Sequence, residues 1–143
     1  MTSAFVFITN YGIYFLLLAI PVILFTKNVI GFKIIVFSSA IAASLGWLIK
    51  NFYYLPRPYI LSGHQPAIRY LLDGSFPSNH TAISVAIAVS VYLCYKHIGL
   101  LLILLAVLIG ISRIVVGVHT SADVLAGGFI GLTVPLLIRK IIH

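Results

Sequence analysis

The 143-residue chain is 62% hydrophobic and 8% charged, with a mean hydropathy of +1.18. A soluble domain carries about 25% charged residues, so the composition excludes a water-soluble globule and suits a single membrane-embedded domain over residues 1–143. Nine Lys and Arg against two acidic residues give a net charge of +7, but the cations stand singly between apolar runs with no basic stripe, which argues against nucleic acid and for anionic lipid or an anionic substrate.

Residues 4–25 form the first expected span, interrupted by Asn10 and Gly12 and kinked by Pro21, breaks that membrane helices tolerate when neighbours satisfy the freed backbone groups. The opening Met-Thr-Ser-Ala-Phe lacks the positive region of a signal peptide, so this segment is expected to be retained. Lys27, Asn28 and Lys33 flank a turn, and the second span is expected over Ile34–Ile49. Ser38, Ala42 and Gly46, and likewise Ser39 and Ala43, recur at a spacing that lets membrane helices approach closely. A long polar stretch follows Lys50 and runs to Ser78, rich in Pro, Tyr and Gly. Loops of this length are functional or disordered. Tyr53, Tyr54, Tyr59 and Tyr70 suit a membrane interface, and Ala67–Asp73 is expected to form one or two turns of interfacial helix.

The third span is expected over His80–Tyr95. Small and branched residues alternate there, as in a strand, but the run is long for a strand, and Ala82, Ala86 and Ser90 fit small-residue helix packing, so helix is expected. Ile98–Val116 and Ala122–Ile138 are the fourth and fifth spans, the last with Gly127 and Gly131 at GxxxG spacing. Several apolar runs have only about 16 residues, short of the ~20 that span a bilayer, so they must extend into their flanks or thin the membrane. The single cysteine, Cys94, allows no internal disulfide. The fold class is therefore all-α: a polytopic membrane bundle of about five transmembrane helices, with an active-site loop between the second and third. Lys27, Lys33, Lys96, Arg139 and Lys140 fall on one side. Lys50, Arg57, Arg69 and Arg113 fall on the other, with both carboxylates and His64, His80 and His119. The first set sits in short turns and is expected to be cytoplasmic. This puts the N-terminus outside, the C-terminus inside and the polar cluster on the non-cytoplasmic face of a multi-pass cell-membrane protein.

Three patches on that face carry chemistry. In the first, Lys50 offers a point charge and Arg57, between Pro56 and Pro58, a planar fork, a pair suited to phosphate oxygens. In the second, Ser78 is the expected N-cap of the third span, whose N-terminus offers free N–H groups to an anion, and His80 stands where it could donate a proton. In the third, Arg113 can clamp a phosphate. Asp123, four residues after His119, can hold one ring nitrogen and leave the other nucleophilic. Each patch alone also reads as interfacial charges or a helix cap. A metal centre fits poorly, because Mg²⁺ wants one or two carboxylates besides substrate phosphate, and His64, His80 and His119 show no Zn²⁺ spacing signature. No metal or cofactor is expected.

Lys50 with Arg57-Pro58, then Pro77-Ser78-Asn79-His80, then Ser112-Arg113 with His119 and Asp123, together resemble the three signatures of the type 2 phosphatidic acid phosphatase superfamily. The resemblance covers Lys50 to the C-terminus and is closest to bacterial undecaprenyl-pyrophosphate phosphatases. It implies a metal-independent lipid phosphatase, a hydrolase of lipid metabolism and cell wall biogenesis, with a helical core. Lys50, Arg57, Arg113, Ser78 and the amide of Asn79 would bind phosphate. His119 would attack phosphorus to give a phosphohistidine, Asp123 would orient it, and His80 would protonate the leaving oxygen and then activate water. His64 and Arg69 are candidate head-group contacts, although Ser62-Gly63-His64 only mimics the second signature, lacking its Pro. The expected partners are a lipid phosphate and membrane lipids, with the oligomeric state open. The alternatives are a phosphatidic acid or phosphatidylglycerophosphate phosphatase and, from another class, a non-catalytic phospholipid binder or transporter. Asn79 stands where Gly is commonest in the superfamily, and five spans stand where bacterial members usually have six.

Overall fold

Over their described residues the apolar runs become helices, and the second and fifth of these overrun at both ends the runs that nucleate them. The computed structural model describes residues 2–18, 21, 28–63, 67–68 and 73–142. Among these the helices are α1 (Thr2–Leu17), α2 (Val29–Phe52), α3 (Pro58–Ser62), α4 (Asn79–Cys94), α5 (Lys96–Val115) and α6 (Ser121–Ile142), and no strand occurs. The alternating stretch from Ala82 to Val91 is helical throughout. α2, α5 and α6 are each long and apolar enough to cross a membrane, whereas α1 and α4 are apolar but shorter. Much of the second half of the first expected span lies outside the described residues.

α2 starts at Val29 rather than Ile34, because Asn28 caps it by accepting a hydrogen bond from Gly31 N at 2.8 Å. α6 continues past Ile138 to Ile142, with Pro135 buried inside it. The polar stretch after α2 holds the short α3, with Pro58 in its first turn, where a missing N–H costs nothing. The helical turns expected over Ala67–Asp73 are not seen: Ala67, Ile68 and Asp73 lie in bends, and residues 69–72 are outside the described set.

α4 is the centre of the bundle and contacts α2, α5 and α6 extensively. Its Ala82, Ser84, Ala86, Ala88 and Ser90 are buried, and these small side chains let the neighbours come close. A Cβ on Gly127 of α6 would sit 2.5 Å from Ser78 O, and one on Gly131 would sit 2.5 Å from Ala82 O. The backbones of α4 and α6 thus touch, and only glycine permits it. The outer surface is the reverse of a soluble protein, with Leu101, Leu104, Leu125 and Phe129 all mostly exposed to what is hydrocarbon in a bilayer.

The up-and-down chain path sets the site. α2 and α5 end at the rim where α4 and α6 begin. Lys50 and Arg113 in last turns therefore share that rim with Ser78 and Asp123 at first turns. Two helix N-termini point their positive dipole ends there.

Candidate active site

The rim is assembled by local rules at each helix end. α5 stops after Val115, and Gly117, at φ 78°, reverses the chain, the left-handed turn that glycine supplies at helix ends. The N–H groups of Val118 and His119 both donate to Arg113 O at 3.2 Å. The spacing from Arg113 to His119 is thus the length of a helix-ending turn. Thr120 then opens α6 with a reciprocal cap: its N–H donates to Asp123 Oδ2 at 2.7 Å, and Asp123 N–H donates to Thr120 Oγ1 at 3.2 Å. The cap fixes the Asp123 carboxylate beside His119, whose Nδ1 lies 3.5 Å from Oδ2. Asp123 O in turn accepts from Ser78 N at 3.0 Å, tying the start of α4 to the start of α6.

The His119 ring is almost wholly buried. Its Nε2 faces Arg57 Nη1 at 3.4 Å. Arginine nitrogens only donate, so Nε2 presents its lone pair and the ring proton belongs on Nδ1, toward the carboxylate. Burial lowers the pKa of His119. Its hydrogen bond with Asp123 opposes that shift, but the charges of Arg113, Arg57 and Lys50 reinforce it, and the result is about 4. The imidazole is neutral at neutral pH, with a lone pair directed at a guanidinium.

Arg57, flanked by Pro56 and Pro58, is only 2% exposed. Its Nε donates to Asp73 O at 3.2 Å, Nη2 to Asp73 Oδ1 at 2.7 Å and Nη1 to Val118 O at 3.1 Å, because a buried guanidinium needs acceptors. Lys50 Nζ donates to Gly74 O at 2.6 Å and lies 3.3 Å from Asp73 Oδ2. Burial opposes ionisation of Asp73, but the hydrogen bond from Arg57 and the charge of Lys50 outweigh it and hold the carboxyl below its ordinary value. Arg113 is buried, and its Nε has no hydrogen-bond partner among the described residues.

Ser78 occupies the N-cap position of α4, but its side chain does not cap. Its hydroxyl instead accepts from Thr81 Oγ1 at 3.0 Å, which leaves the first turn of α4 without a side-chain cap. The Asn79 side chain lies against Gly46 of α2, with Oδ1 buried and unpartnered among the described residues, so any anion there would meet its backbone rather than its amide group. His80, half-buried, lies within electrostatic reach of Arg113, His119, Arg57 and Lys50.

The structure thus gathers Lys50, Arg57, Ser78, Asn79, His80, Arg113, His119 and Asp123 at one rim. His64 and Arg69 lie outside the described residues. Sequence reasoning assigned no role to two residues that the site uses. One is Asp73. The other is Ser75, whose hydroxyl donates to Asp123 Oδ2 at 2.5 Å and lies 3.5 Å from His119 Nδ1. Among the described residues, no group of three His, Cys, Asp or Glu could hold a metal ion. An apolar cavity of about 590 Å³ begins at Thr81 and Ser121, beside the rim, and descends between α5 and α6 to Ala106 and Leu132.

Residues 31–143 match the PAP2 superfamily. The chain is 33% identical over 136 residues to the bacitracin transport permease protein BcrC of Bacillus licheniformis, covering 92% of this chain and 67% of that protein. It is 30% identical over 140 residues to the undecaprenyl-diphosphatase BcrC of Bacillus subtilis, covering 96% of this chain and 72% of that one. The crystal structure of Aquifex aeolicus LpxE superposes with a TM-score of 0.82 at 30% identity, covering 97% of this chain and 85% of the other.

Proposed function

The chain belongs to the PAP2 superfamily and is a multi-pass membrane phosphatase, and from that premise we propose that it removes phosphate from a lipid pyrophosphate, with undecaprenyl pyrophosphate as the favoured substrate. The observation that carries this reading is the setting of His119. One ring nitrogen faces the Asp123 carboxylate and the other faces a guanidinium, so a phosphoryl group bound to Arg57 would meet the Nε2 lone pair.

In this mechanism Lys50, Arg57 and Arg113, the Ser78 hydroxyl and the backbone N–H of Asn79 hold the phosphoryl oxygens. The uncapped start of α4 adds its dipole. His119 Nε2 forms the bond to phosphorus as the bond to the lipid phosphate oxygen breaks, and His80 gives that oxygen its proton. The Nδ1 proton remains shared with Asp123, which stabilises the charge developing on the ring. His80, now neutral, takes a proton from water, and the hydroxide attacks the phosphohistidine to release inorganic phosphate and restore His119. No metal enters these steps.

Two features favour a lipid over a soluble substrate. The rim sits at the end of apolar helices, and the cavity at Thr81 and Ser121 gives a hydrocarbon tail a path from head group to membrane interior. The B. subtilis relative's name supports the undecaprenyl diphosphate reading. His64 and Arg69 are proposed head-group contacts. The proposed orientation sets the rim on the non-cytoplasmic face, with Lys33, Lys96, Arg139 and Lys140 toward the cytoplasm and residues 1–143 acting as one domain.

The test is phosphate release by the purified protein in chelator from undecaprenyl pyrophosphate, phosphatidic acid and phosphatidylglycerophosphate. Undecaprenyl pyrophosphate should give the highest kcat/KM, and preference for either glycerolipid would overturn the substrate assignment. No release from any lipid, with binding intact, would favour a non-catalytic binder or transporter.

A further inference from the structure

One of the chain's two carboxylates sits on the two cations that the proposed mechanism assigns to substrate. Asp73 Oδ1 lies 2.7 Å from Arg57 Nη2 and Oδ2 lies 3.3 Å from Lys50 Nζ. The three side chains differ sharply in burial: Arg57 is 2% exposed and Lys50 7%, whereas Asp73 is 55% exposed. The cations are interior and the carboxylate reaches them from the mouth. Each cation also has a backbone acceptor independent of the carboxylate, namely Val118 O and Asp73 O for Arg57 and Gly74 O for Lys50. Those bonds hold the cations in position whether or not the carboxylate is present.

We infer that the Asp73 carboxylate is a displaceable stand-in for the phosphoryl group, which sets how tightly this site holds phosphate. The inference rests on the proposed role of Lys50 and Arg57 as phosphate ligands. Buried cations require counter-charge, and a carboxylate presents two oxygens to a guanidinium and an ammonium much as a phosphoryl group does. For Arg57 to grip phosphate with both terminal nitrogens, Nη2 must be released by Oδ1. A half-exposed aspartate can rotate into water with little loss of solvation, whereas the cations cannot leave. Substrate binding then exchanges one anion for another, and departure of inorganic phosphate is helped by the returning carboxylate.

The experiment measures binding of inorganic phosphate, and of orthovanadate, to the purified full chain in detergent by calorimetry. Asp73→Asn keeps the shape and removes the competing charge. It should tighten phosphate binding roughly tenfold and make inorganic phosphate a correspondingly stronger product inhibitor. If Asp73 were only a brace for Lys50 and Arg57, the same variant would bind phosphate equally or more weakly, and that result overturns the inference. Should Asp73→Asn fail to fold, Asp73→Ser, which keeps a hydroxyl acceptor for Arg57, carries the same prediction. Wild-type protein that binds no phosphate, or Lys50→Met that binds it as well as wild type does, would refute the assignment of the cations themselves. That outcome is distinct from an unchanged affinity in Asp73→Asn.

Discussion

Replacing Ser75 with Ala should slow the chemistry without weakening substrate binding. The Ser75 hydroxyl is buried and donates to Asp123 Oδ2 at 2.5 Å. Asp123 keeps the Thr120 N–H at 2.7 Å and the more distant His119 Nδ1 at 3.5 Å, so the variant removes one of two close donors to a buried charge. A hydrogen bond to a charged group contributes about 1.5–3 kcal/mol. If Ser75 aligns the carboxylate that supports His119 as it becomes charged, that energy is lost in the transition state, and kcat should fall roughly 10- to 100-fold. Among the described residues Ser75 makes no hydrogen bond to Lys50 or Arg57, so KM should stay within about threefold by the same reasoning on separable binding and chemical steps. Steady-state phosphate release, with a thermal melt to confirm folding, measures both parameters. A kcat within twofold of wild type, or a loss confined to KM, would refute the positioning role.

Asp123→Asn still accepts from Thr120 N–H, so the α6 cap and the melting temperature should hold while kcat drops about 10³-fold, as when a histidine loses its anionic partner; equal loss of stability and activity would count against a role in orienting His119. Because the His119 pKa is lowered to about 4, its nucleophilic form persists as the pH falls through 6.5. The acid limb of kcat/KM should therefore lie near pH 4 and move upward in Lys50→Met, which removes one of the lowering charges; a limb at 6.5 in both proteins would contradict this. The same depression means that the unfolded chain takes up the proton first, so thermal stability should fall as the pH drops from 6.5 toward 4 and level off below it. Gly127→Val should lower the melting temperature by the equivalent of ~1–3 kcal/mol and reduce activity with it, since its Cβ would collide with Ser78 O. Gly128 lines the apolar cavity, with open space where a Cβ would go. Gly128→Leu should therefore raise KM for a long-chain lipid pyrophosphate severalfold and spare a short-chain phosphate ester; equal effects on both would argue against a tail in that cavity.

The helices were legible because apolar length and small-residue spacing are local properties, and even the strand-like alternation of α4 yielded to its alanines and serines. Their ends were less so, since Asn28 extends α2 by a capping bond that hydropathy does not register. The two histidines, Asp123 and the three cations were legible because each signature places its polar residues at a helix end. Ser75 and Asp73 were not, for a physical reason. Their partners lie far along the chain, 48 positions from Ser75 to Asp123 and 23 from Asp73 to Lys50, and only the meeting of four helix ends brings them together. Ser78 shows a different limit: it stands at the N-cap where the sequence puts it, but its hydroxyl accepts from Thr81, three residues on, and does not cap the helix.

The proposed nucleophilic attack by His119 would leave a covalent trace that no binder or general-base enzyme would leave. Rapid acid-free quenching of the purified protein with terminally labelled undecaprenyl pyrophosphate, in chelator, should give a phosphoprotein that is labile in acid and stable in alkali, present in wild type and absent in His119→Asn. A wild-type protein that turns over without ever carrying label, or label that survives in His119→Asn, would contradict the convergence of His119, His80 and the cations on one phosphorus atom.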